Sequence, residues 1–245
     1  MSNLKTYLII ILLSTTFSLY LFETYLNLSD DKKNYSKIKK IYLEKTGKNY
    51  DERTMSEIYK DLKKSDEDYV VSVFPTTLLN LEKDTLPLSG ISNKKTIHCN
   101  ENGYYSIYMS DRFGFNNPDD EWDQTKIEYL LVGDSFTHGA CVNRPNDIGS
   151  VLRKLSGNSV LNLGYGGNGP LIKYATLREY LKPGIKNILW LYFEGNDLED
   201  LKSELKNEIL VKYLKKSNFN QNLKMRQDEI DKINISRISK SFFDT

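Results

Sequence analysis

The sequence predicts an α/β protein with a parallel sheet, preceded by one membrane-spanning helix and a small α+β extension. Three observations predict it. From Ile127 onward, short apolar β-prone runs alternate with helical patterns. Near the N-terminus, 17 consecutive uncharged residues run from Thr6 to Phe22. Between them lies a stretch of mixed helical and strand character. Of the 245 residues, 39% are hydrophobic and 27% charged, with a mean hydropathy of -0.52, so the bulk of the chain is folded and water-soluble. Lys+Arg at 34 against Asp+Glu at 33 gives a net charge of +1, too little field for a nucleic-acid partner.

The N-terminal run continues past Glu23 through Tyr25, Leu26 and Leu28. A bilayer core takes about 20 largely apolar helical residues, so the run is long enough if Glu23 sits near an interface beside Tyr20, Phe22 and Tyr25. No small-x-small cleavage site follows in Glu23-Thr24-Tyr25-Leu26-Asn27, which favours an anchor over a signal peptide. Lys5 precedes the run, and Glu23, Asp30 and Asp31 follow it. That bias puts the N-terminus inside and the body of a single-pass protein in the periplasm or cell exterior. Cys99 and Cys141 would then share an oxidising compartment and form a disulfide. The expected organisation is a signal-anchor at 1–28, an extension at 29–120 and an α/β domain at 121–245.

Within the extension, Asn34 to Lys64 fits two helices separated by Gly47, the second opened by the capping box Thr54-Met55-Ser56-Glu57. Tyr69 to Phe74 reads as a strand stopped by Pro75, and Thr96 to Met109 as two strands about the turn Asn102-Gly103. In the α/β part, Ile127–Val132, Ser159–Leu163 and Asn187–Phe193 read as strands, with helices at Ile148–Leu155 and Leu171–Leu181. After Asn196 one helix carries Leu198, Leu201, Leu205, Ile209 and Tyr213. A polar stretch, Lys215 to Asp231, then leads to Ser241-Phe242-Phe243-Asp244-Thr245 without a final strand and helix. A sheet of this kind needs a further strand, so a chain cut short after Thr245 is expected.

Ligands of such sheets bind at the carboxyl ends of the strands. The first end carries Gly133-Asp134-Ser135-Phe136-Thr137-His138-Gly139, where a serine opening a helix has an exposed hydroxyl among free backbone N–H groups. Asp134 would hold that loop by accepting backbone hydrogen bonds. The second carries Asn162-Leu163-Gly164-Tyr165-Gly166-Gly167-Asn168-Gly169-Pro170, whose glycines let main chain approach a ligand. The third carries Phe193-Glu194-Gly195-Asn196-Asp197.

These three blocks, in this order and at these strand ends, resemble the first three sequence blocks of the SGNH (GDSL-type) hydrolase superfamily. The resemblance covers about Ile127 to Leu205. Upstream, Asp111-Arg112-Phe113-Gly114-Phe115-Asn116-Asn117 is similar to a segment preceding the nucleophile block in membrane-anchored, extracytoplasmic members. The resemblance implies a three-layer α/β/α flavodoxin-like sandwich and a serine esterase or O-acyltransferase. Its substrate would be an acylated small molecule or glycan, with neither cofactor nor metal. It implies Ser135 as nucleophile and first oxyanion donor, Gly167 and Asn196 as the other donors, and Asp134 and Asp197 in support.

The chain departs from the family in one respect: no histidine follows His138, so the DxxH block that supplies base and orienting acid is missing. A serine hydroxyl is a poor nucleophile without a base. His138, three residues after Ser135, is expected to point along its helix in a cleft-lining or hydrogen-bonded role, and His98 to be structural. A catalytically silent glycan- or protein-binding module is the alternative from another class. A flavodoxin-like nucleotide binder is a further alternative that the motifs disfavour, since GxxxxGK[ST] does not occur and GYGGNG departs from the dinucleotide fingerprint.

Overall fold

The computed structural model describes residues 2–81 and 84–242. The chain divides into two compact units, Met1–Asp51 and Glu52–Thr245. The first is built on a single helix, α1 (Ser2–Thr46). Its segment Leu4–Leu26, 23 residues, is long and apolar enough to cross a membrane. Thr15 and Thr16 return their hydroxyls to the carbonyls of Ile11 and Leu12 at 2.8 Å, satisfying them without water. The expected separate helix before Gly47 is instead the continuation of α1, which ends where Gly47 adopts φ +68 and donates to Leu43 O.

The second unit opens with α2 (Met55–Ser65), whose capping box is formed: Thr54 Oγ1 accepts from Glu57 N, and Glu57 Oε2 accepts from Thr54 N at 2.7 Å. Three short strands follow, β1 (Tyr69–Val71), β2 (Lys95–Ile97) and β3 (Ile107–Met109), with β1 parallel and β3 antiparallel to β2. The α/β part runs β4 (Ile127–Val132), α3 (Ser135–His138), α4 (Ile148–Ser156), β5 (Val160–Asn162), α5 (Pro170–Tyr180) and β6 (Ile185–Trp190). Its sheet has the order β5-β4-β6, all parallel, with Leu131 opposite Asn162 and Val132 opposite Trp190. The three strands therefore end level with one another.

Ile58, Tyr59 and Val70 of the extension share one hydrophobic core with Leu130, Leu161, Ile172 and Tyr180. β6 forms an open edge and exposes Ile188, Leu189 and Trp190 in succession.

Downstream the structure corrects two expectations. The single helix after Asn196 is two, α6 (Asp197–Glu204) and α7 (Glu208–Lys215), separated where Asn207 caps the second by accepting from Leu210 N. The polar stretch leads into a 16-residue helix, α8 (Gln227–Phe242), which buries Ile230, Ile233, Asn234 and Ile238. α8 packs against β1 and against the turn Leu223–Met225, and no strand follows β6 among the described residues. Residues 243–245, part of the expected terminal tail, lie outside the described residues.

Candidate active site

The turn after β4 is tight because Gly133 has no side chain: a Cβ there would lie 1.9 Å from Thr137 Oγ1. Asp134 is buried and caps α3 by accepting from Phe136 N at 3.1 Å. Ser135 begins α3 and is half-buried. α3 is only four residues long and closes at Gly139 in the left-handed region, so it adds little macrodipole to the serine's surroundings. Any stabilisation of negative charge there has to come from individual N–H groups.

The second turn is bound to the first. Tyr165 N donates to Gly133 O at 3.2 Å, and Gly166 N donates to His138 Nδ1 at 3.2 Å. Gly167 sits at φ +73, a conformation that disfavours any side chain. Asn162 ties the turn's start: its Nδ2 donates to Thr137 O, and its Oδ1 accepts from Gly164 N at 2.8 Å.

The third turn meets the first through Phe136 and Phe193, whose rings lie 5.4 Å apart. Asp197 is fully buried. Both of its carboxylate oxygens lie 2.7 Å from Lys173 Nζ, and Oδ2 also accepts from Phe193 N. Its contacts thus hold the turn after β6 against α5. Asn196, just before it, is half-buried, with its Oδ1 buried and without a partner.

A base is what the arrangement lacks. Among the described residues no side chain hydrogen-bonds the Ser135 hydroxyl. His138 is wholly buried, with Nδ1 accepting from Gly166 and Nε2 at 2.9 Å from Tyr108 Oη. Burial and the neighbouring His98 ring, 4.2 Å away, hold its pKa well below the ordinary imidazole value. His98 is pushed down to about 4 by burial. Glu204 is lifted to about 7 by burial, but its two oxygens accept from Gly169 N and Leu171 N and so cap α5. Among the described residues no group of three or more His, Cys, Asp and Glu could hold a metal ion. Cys99 and Cys141 are joined by a disulfide, their Cα atoms 4.9 Å apart.

The motif Asp111–Asn117 supports all of this from below. Asp111 accepts from Phe113 N, Phe115 N, Asn117 Nδ2 and Trp122 Nε1, and burial lifts its carboxyl to about 6 against those bonds. Asn117 pairs with the backbone of Asn162 on both sides, and Asn116 Nδ2 donates to His138 O at 2.9 Å. Sequence reasoning singled the motif out without giving it a task. It assigned nothing to Tyr108 or Lys173, although a lysine between Ile172 and Tyr174 in an apolar helix signals a buried partner.

No family model, curated protein or solved structure matches the chain. The three strand ends carry a half-buried hydroxyl at Ser135, glycine backbone at Gly166 and Gly167, and a half-buried carboxamide at Asn196.

Proposed function

We propose that the chain carries the nucleophile and oxyanion half of an SGNH-type serine esterase or O-acyltransferase. In this reading the sheet belongs to a three-layer flavodoxin-like sandwich, anchored through α1 and acting outside the cytoplasm on O-acyl groups of a glycan. Ser135 attacks the ester carbonyl; the N–H groups of Ser135 and Gly167 and the Asn196 carboxamide hold the oxyanion. Water or a sugar hydroxyl then releases the acyl group from Ser135. The observation that carries the reading is the level ending of β4, β5 and β6 in one parallel sheet, with the first turn joined to the second at Gly166 and to the third at Phe193.

The free Ser135 hydroxyl and the fully engaged His138 favour a second reading, a catalytically silent binding module of the same fold. Fluorophosphonate labelling of the full chain, with and without imidazole as an external base, separates the two. The enzyme reading expects imidazole to accelerate labelling of the wild type and to leave Ser135→Ala unlabelled. Asn196→Ala should slow labelling about 100-fold, as loss of one oxyanion donor does. Absence of Ser135-dependent labelling in either buffer supports the silent module, and label retained by Ser135→Ala removes the serine from the mechanism.

A further inference from the structure

We infer that His138 is a positioning residue whose Nδ1 lone pair fixes the glycine turn by accepting the Gly166 N–H. A neutral imidazole offers one acceptor and one donor. With Nδ1 accepting from Gly166 at 3.2 Å, the ring proton is on Nε2 and is donated to Tyr108 Oη at 2.9 Å. The Nδ1–H tautomer would set two N–H donors against each other at Gly166, and a flipped ring would put the Cδ2–H edge there in place of an acceptor. The Tyr165 ring, stacked on the imidazole with centroids 4.4 Å apart and planes 23° from parallel, opposes that flip.

The assembly is closed on every side. Ser72 Oγ donates to Tyr165 Oη, Asn116 holds the His138 carbonyl, and His98 stands edge-on to the imidazole. His138 is therefore unavailable as the base for Ser135, three residues away in sequence. It acts instead on the backbone next to Gly167, so that the β2 and β3 segments of the extension, through His98 and Tyr108, are built into the wall of the candidate site. Only the catalytic consequence rests on the esterase reading; the hydrogen bond and its tautomer stand apart from it.

The test uses the full chain in detergent micelles with isotope-labelled histidine and glycine. The expected spectrum at neutral pH shows His138 as a single Nε2–H tautomer, with slow exchange at the Gly166 amide. His138→Asn, whose Oδ1 takes the place of Nδ1, should keep that protection. His138→Leu should lose about tenfold, the equivalent of one hydrogen bond. A protonated or Nδ1–H imidazole in the wild type overturns the inference even if both variants fail to fold. So does unchanged Gly166 protection in a folded His138→Leu. If the tautomer and protection behave as expected while the wild type shows no Ser135-dependent labelling with imidazole, the positioning role stands and the esterase reading falls. If the wild type labels at Ser135, His138→Leu should label about tenfold more slowly and His138→Asn should recover.

Discussion

Histidine and carboxylate burial pull the pH dependence of folding in opposite directions. His98 has a folded pKa of about 4 against an ordinary 6.5, so the unfolded chain binds the extra proton between those values. Its contribution is complete above pH 6.5 and is lost as pH falls towards 4. Asp111 and Glu204, lifted from 3.8 to about 6 and from 4.5 to about 7, hold protons more tightly when folded, and each weakens the fold as pH rises from its ordinary value to its raised one. Replacing His98 with Phe should therefore shrink the acid-side loss by about 3 kcal/mol, read as the difference in urea stability between the two ends of the window. An unchanged slope would mean that His98 titrates normally in the fold.

At the scale of elements, the junction of α5 with the turn into α6 rests on the buried Lys173–Asp197 pair. Lys173→Met should cost about 3 to 5 kcal/mol, because Asp197 is then left as an uncompensated buried charge. Adding Asp197→Asn, which can still accept from Phe193 N, should restore part of that loss in a denaturation-based double-mutant cycle. The strands and helices from β4 to β6 were legible in the sequence because their apolar runs are local and bounded by glycine, proline or a capping residue. α8 was not legible. Its buried face consists of Ile230, Ile233, Asn234 and Ile238, interspersed with Asp, Lys, Arg and Ser, and one of its partners is β1, far away in the chain. The contacts around the candidate site were hidden for a related reason: Asn117 meets Asn162 across 45 residues, and Tyr108 meets His138 across 30. Residue type and spacing suggest which groups do chemistry, whereas those bonds depend on tertiary placement.

Over the whole molecule, the Cys99–Cys141 bond joins the end of the β2 segment to the exit of α3 across 42 residues. Closing a loop of 42 residues is worth about 4 kcal/mol on chain-entropy grounds. A Cys99→Ser/Cys141→Ser chain should unfold at correspondingly lower urea, and reductant should shift the wild type alone. The open edge of β6 shows the reverse economy, with Ile188, Leu189 and Trp190 left to solvent. The cystine also carries a timetable. His98 immediately precedes one of its cysteines, and His138 stands three residues before the other, so the paired rings and the Gly166 anchor are assembled beside a bond that a reducing cytosol does not keep. Protein held in a reducing compartment would lack the rivet and would complete this corner of its architecture only once oxidised.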